Sequence, residues 1–334
     1  MSRTTFILGA GATRGCSFVG EMKRTGHCLP PLEADFFTQL QRVSSNAHSA
    51  RVKRLIEGLV EWFGPNYSLG MEQVFIHLEH AERMLKHLGK DASKDYKKVV
   101  VLKKDLVQSI AIILGESLTK VKDGGKGSYE LRECDFHDRM VHDLAENGDS
   151  FVSFNYDCVL DDALRRKGDG KWNARYGYGF KLKGEGGGLS GDAFWSPAVP
   201  ASREQTIKVH KVHGSLHFKE DQGGLELKQR PYGNPRSAKG DLHFSIIPPE
   251  SSKSYDSGRF GQSMRGAHQS LRAASRVVVI GYSLPTSDQH AESLFRFGPK
   301  RGALQSLVIV NPDRAVRRRI RSALQSALQP STRV

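Results

Sequence analysis

The chain has 334 residues, 38% of them hydrophobic, and a formal net charge of +14. That balance excludes an intrinsically disordered chain and leaves room for a sizeable core, in two modules or one large α/β domain. The excess of Lys and Arg over Asp and Glu, 50 against 36, favours phosphate-bearing partners such as nucleotides or nucleic acid, although the cations are scattered enough to read equally as a solvated basic surface.

The first element is a short buried strand, Thr4–Leu8, running into Gly9-Ala10-Gly11-Ala12-Thr13 and, after Arg14, Gly15. A glycine turn after a strand lets backbone amides approach a pyrophosphate. The dehydrogenase fingerprint requires G-x-G-x-x-G, a helix, and a second strand ending in an acidic residue about twenty positions on. Here the spacing is G-x-G-x-x-x-G, followed by Gly26-His-Cys-Leu-Pro-Pro31 and a helical pattern, so a hydride-transfer enzyme loses its support. Helical periodicity occupies residues 35–43, 50–63, 71–88, 96–118 and 134–145, with a glycine-rich loop at 123–127. Strand signals return at 150–154, 207–212, 276–281 and 306–311. Between them, residues 167–200 read as a surface excursion and 219–265 as a hairpin or mobile flap, and the basic run 317–321 falls in a helix. The expected fold is a Rossmann-type parallel α/β sheet with helices on both faces, formed by residues 1–31 and 148–334 and interrupted by a helical insertion module at 32–147.

Cys16, Cys28, Cys134 and Cys158 occur singly, and no stretch approaches the ~18 apolar residues of a membrane span. A reduced, cytoplasmic protein without membrane association is expected. His210, His213 and His217 are spaced by three and four, which in a strand does not converge on one ion, so no metal is expected.

In open parallel sheets, ligands bind beyond the carboxyl ends of the strands. Here those ends carry Gly9–Thr13, Asn155-Tyr156-Asp157, His213-Gly214-Ser215, Gly281-Tyr282-Ser283 and Asn311-Pro312-Asp313. Singly, Asp157 reads as a helix cap and His213 as a structural histidine. Their order, however, resembles the sirtuin-type NAD-binding fold, and specifically the divergent bacterial sirtuin-like family that hydrolyses NAD+ in defence against phage. In that family a G-A-G-A-S loop corresponds to Gly9–Thr13, with Thr13 in place of Ser, and a proline and Asp-Phe element corresponds to Pro30 through Asp35-Phe36. The N-x-D motif falls on Asn155 and Asp157, the H-G motif with the family base on His213-Gly214, and the adenosine-binding G-[ST]-S-L element on Gly281-Tyr282-Ser283-Leu284. The ribose-binding Asn of the last strand corresponds to Asn311.

The resemblance implies catalytic roles for Asn155, His213 and Asp157. It implies NAD+ binding by Gly9, Ala10, Gly11, Ala12, Thr13, Asp35, Gly281, Ser283, Asn311 and Asp313, with Arg14 either adding charge or solvated. Asn155 would position a water and the ribose hydroxyls, His213 would take a proton, and Asp157 would orient ribose or the loop. The chain lacks the zinc ribbon with two Cys-x-x-Cys pairs that sirtuins insert, and Phe37 stands where they have Arg, which counts against a protein deacylase. The implied activity is cleavage of NAD+, as substrate, to nicotinamide and ADP-ribose by a regulated anti-phage effector. Its partners would be further copies of the chain or a defence protein such as a hexameric ATPase, nuclease or Argonaute-like protein, with nucleic acid on the basic surface. The alternatives are an NAD-dependent protein deacylase or ADP-ribosyl transferase, and a non-catalytic nucleotide-sensing subunit.

Overall fold

Five apolar or β-branched residues in a row, Thr4–Leu8, form the fully buried strand β1 around which the sheet is built. In a computed structural model that describes residues 3–44, 47–89, 93–121, 129–183, 190–222, 224–232, 242–248 and 258–333, it is joined by β2 (Ser150–Ser153), β3 (Lys208–Lys211), β4 (Arg276–Ile280), β5 (Leu304–Val310) and β6 (Leu328–Arg333). The spatial order is β6-β5-β4-β1-β2-β3 and every pairing is parallel. The chain builds outward from β1 through β2 and β3, then returns to start again at β4 on the other side. In open parallel sheets such a Rossmann-like reversal marks the carboxyl ends of the strands on either side of it, here β1, β2 and β4, as the ligand-binding end.

Alternation along the strands divides the core in two. Phe6 and Leu8 join Phe151 and Val209 on one face, whereas Ile7 joins Val152, Val277 and Val279 on the other. The helices include, in chain order, α1 (Ala10–Arg14), α2 (Ser49–Phe63), α3 (Met71–His87), α4 (Ser93–Leu118), α5 (Val159–Lys167), α6 (Gly258–Ala273), α7 (Gln289–Phe297) and α8 (Arg314–Ala323), with further short helices between them. Leu160, Ala163 and Leu164 of α5 cover the first face. Leu271 of α6, Leu294 of α7 and Ile320 of α8 cover the second. Cover thins at β5, where Val308 and Val310 are 44% and 52% exposed.

Helices α2, α3 and α4 pack on one another through Leu55, Leu59, Phe75, Leu78, Leu102 and Leu106, as their periodicity requires. The same apolar cluster takes in Cys16, Val19, Cys134 and Val159, so it runs without a break from these helices to the residues beside the sheet.

Several expectations need correction. The helical block also contains a small antiparallel pair, Thr119–Val121 with Tyr129–Leu131; the loop expected at 123–127 lies outside the described residues. Residues 167–200 are not a surface excursion, because Trp172, Tyr178 and Trp195 are almost completely buried and Gly177 is held against the Trp172 ring. Each large aromatic buries enough area to anchor an irregular segment without regular periodicity. The region 219–265 does contain a hairpin, Phe218–Asp221 with Gly224–Leu227, but Ser245–Ile246 pairs with Gly214–Ser215 and α6 begins at Gly258. Residues 184–189, 233–241 and 249–257 of these two regions lie outside the described residues. The sixth strand was not expected; Pro330 is tolerated there because β6 is an edge.

Candidate functional site

Register brings the expected residues to one edge. Leu8 pairs with both Ile280 and Ser153, Ser153 with Lys211, and Ile280 with Val310. The ladder continues one step further, with Phe154 N donating to Leu8 O, Val212 N to Ser153 O and Gly281 N to Val310 O. Gly9, Asn155, His213, Gly281 and Asn311 therefore follow neighbouring strands at the same end of the sheet.

The glycine loop is packed against the loop after β4. A Cβ on Gly9 would lie 2.5 Å from Tyr282 Cα, and one on Gly281, whose φ is +62°, would lie 2.1 Å from Ala12 N. These glycines are required by backbone-to-backbone contact alone. The loop amides are also largely committed: Gly9 N donates to Ile280 O, Gly11 N to Gly281 O and Ala12 N to Gly9 O. Among the described residues, the Ala10 amide has no backbone partner.

Asn155 locks this loop to β2. Its Nδ2 donates to Gly9 O (3.0 Å) and Thr13 Oγ1 (3.1 Å), and Thr13 in turn donates to Asp157 Oδ2 at 2.6 Å. The other Asp157 oxygen accepts from Val159 N at the start of α5. Asp157 thus orients loop and helix, with both oxygens engaged. No donor among the described residues reaches Asn155 Oδ1, which leaves an acceptor next to the loop.

Behind this turn lies a network that sequence reasoning missed. Lys211 Nζ, 1% exposed, donates to Asp157 O at 2.5 Å and to the fully buried Asp161 at 3.1 Å. Tyr178 Oη donates to the second Asp161 oxygen at 2.5 Å and accepts from His217 Nε2, whose Nδ1 faces Ser215 and Cys158. Burial opposes the ionised form of Asp161, yet Lys211 outweighs it and holds the carboxyl below its ordinary range. Burial likewise opposes the Lys211 ammonium, and Asp161 raises it again. His217, pushed down by burial to about 3, is neutral at physiological pH. Lys211 is the residue at β3 whose position would have signalled this, a cation among buried neighbours.

His213 Nε2 lies 3.0 Å from Asp288 Oδ2, and the carboxylate is 3% exposed. Asp288 also caps α7 by accepting from Ala291 N, which is the ordinary role its position before a helix would indicate. The His213 ring meets Phe154 edge-on with centroids 5.3 Å apart, and Phe154 stacks on Tyr282 at 4.0 Å. His210 faces Ser270 instead, and burial lowers it to about 4. The three histidines therefore have three separate sets of partners.

Of the residues expected around adenosine, Ser283 is exposed and its carbonyl accepts from Arg319. Asn311 donates to Tyr282 O (3.3 Å) and accepts from Asp313 N, while Asp313 caps α8 through Ala315 N. Asp35 pairs with Arg14 at 2.5 Å and accepts from Leu32 N, and Arg14 also donates to Pro30 O. Arg14 is accordingly a clamp between the first loop and residues 30–35, not a solvated residue. Scans against models of known protein families and against curated proteins match no part of the chain.

Proposed function

We propose that the chain is a sirtuin-like NAD+ hydrolase, cleaving NAD+ to nicotinamide and ADP-ribose as an NAD-depleting effector of anti-phage defence. The observation that carries this reading is the pairing, at adjacent strand ends, of an Asn155 carbonyl that no donor among the described residues reaches and a histidine oriented by the buried Asp288 carboxylate.

Breaking the nicotinamide–ribose bond generates an oxocarbenium-like carbon, and nicotinamide departs as a neutral base that keeps the bonding electron pair. No general acid is required. What the site must supply is position, shielding and a proton acceptor. Asn155 Oδ1 accepts from the attacking water or a ribose hydroxyl while its Nδ2 stays tied to the glycine loop. His213, held by Asp288 through Nε2, takes the proton released as water adds to the ribose carbon. The stacked Phe154 and Tyr282 rings exclude bulk water from one wall. The Ala10 amide is a donor for a phosphate oxygen, and Asn311 and Ser283 lie on the adenosine side.

The test is incubation of pure protein with NAD+, following nicotinamide, ADP-ribose and any deacylated peptide chromatographically. Release of both products, abolished by Asn155→Ala and by His213→Ala, supports hydrolysis. Tight binding of NAD+ without turnover would favour a nucleotide-sensing subunit.

A further inference from the structure

Two groups of cysteine, histidine and carboxylate side chains bring their ligand atoms within 4.8 Å of one another, and they differ in what already satisfies them. In Cys158–Asp161–His217, the Lys211 ammonium and the Tyr178 hydroxyl hold the carboxylate, so a cation is already present and a second one would be repelled. Among the described residues, no lysine or arginine pairs with the other group, Cys16–Cys134–His137, whose side-chain partners are one another and Ala12 O.

Cys134 occupies the position before the helical turn Asp135–Arg139 with extended backbone, and His137 is the third residue of that turn. Side chains at these two positions lie over the same turn, which makes Cys-x-x-His a natural chelating pair. Cys16 reaches them from the segment that follows α1, and Ser17 Oγ accepts from Asp135 N at 3.1 Å, pinning the two segments together. His137 Nδ1 lies 3.2 Å from Cys134 Sγ and 3.9 Å from Cys16 Sγ. Metal–sulfur and metal–nitrogen bonds of about 2.3 and 2.05 Å in a tetrahedron give ligand separations of about 3.6 Å for S···N and about 3.8 Å for S···S. The two S···N distances fall on either side of the tetrahedral value and the two sulfurs lie within 4.8 Å of each other, so small side-chain shifts bring the three atoms onto one face of a tetrahedral site. All three residues are buried, at 4%, 1% and 6% exposure, and both cysteines belong to the apolar cluster shared with α2, α3 and α4.

From this geometry we infer that Cys16, Cys134 and His137 bind one zinc ion. Two thiolates and an imidazole are a soft donor set suited to Zn2+. Binding releases the two thiol protons to solvent, leaving a neutral Zn–(Cys)2–His unit with its fourth corner open to a water or small anion. The ion ties the exit of the glycine loop at Cys16 to the segment leading into β2, which makes it a structural clamp on the first strand-end loop. This inference does not depend on what the strand-end site binds.

The full chain, purified under reducing conditions without chelator, is expected to carry about one zinc per molecule by plasma mass spectrometry. Replacement by Co2+ is expected to produce the intense visible bands of tetrahedral cobalt and a thiolate-to-cobalt charge-transfer band. Cys134→Ser and Cys16→Ser should lose the metal, whereas Cys28→Ser and Cys158→Ser should keep it. Should the first two variants fail to fold, the cobalt spectrum of the unaltered chain still decides. Substoichiometric zinc with no charge-transfer band in fully reduced protein would overturn the proposal, as would a native Cys16–Cys134 disulfide found by peptide mapping.

Discussion

The two flanks of the strand-end site are built differently. On the β2–β3 flank, Asn155 and Asp157 are fixed to the glycine loop and backed by a completely buried Lys211–Asp161–Tyr178–His217 network. On the β4–β5 flank, Ser283, Asn311 and Asp313 are exposed or half-buried, and their polar groups serve a turn and a helix cap. Preorganised groups act on a transition state, while loosely held surface groups mostly add uniform binding. Rate should therefore depend on the first flank and affinity on the second.

The sharpest way to break that contrast is at Lys211. Lys211→Met leaves Asp161 charged and unpaired in the core, which should cost about 3–5 kcal/mol of stability, read as a lower urea midpoint. Lys211→Met combined with Asp161→Leu should recover most of that loss. A single variant as stable as the parent would mean that the network does not brace the Asn155 turn.

At the next level, Asp288→Asn keeps the shape around His213 but removes the orienting charge. A fall in kcat of about 10²-fold, or about 2.7 kcal/mol, is expected with little change in KM. An unchanged kcat would remove His213 from the role of base.

The smallest effect should come from the other flank. Asn311→Ala removes one partly exposed hydrogen-bonding side chain and should raise KM for NAD+ several-fold, about 1 kcal/mol, with kcat preserved. A fall in kcat with KM unchanged would contradict the division of labour between the flanks.

How much of this was readable beforehand follows from the range of the interactions. Strands such as Arg276–Ile280 and helices such as Met71–His87 show themselves because β-branched runs and 3.6-residue periodicity are local signals. β6 does not, since Gln329, Pro330, Ser331 and Thr332 carry no strand pattern, and only its parallel pairing with β5 makes it one. The strand-end residues were legible for the same local reason, being small, amide, acid or imidazole types directly after buried runs. Their supporting partners were not. Lys211 and Asp161 are 50 positions apart, and Cys16 and His137 are 121 apart, so no spacing rule joins them. Asp288 caps α7, and its second contact, to His213, exists only in the folded chain. The glycine loop also has a structural role that spacing does not reveal. Its glycines fit close packing against Gly281, and three of its amides are engaged within the protein.

The central claim is that Asn155 and His213 form a hydrolytic pair, and the most direct measurement is nicotinamide release from NAD+ by the purified chain and by its Asn155→Ala and His213→Ala variants. The account predicts stoichiometric nicotinamide and ADP-ribose from the parent chain, and a loss of at least about 10³-fold in each variant that stays folded by circular dichroism. NAD+ turnover that persists in both folded variants would contradict it.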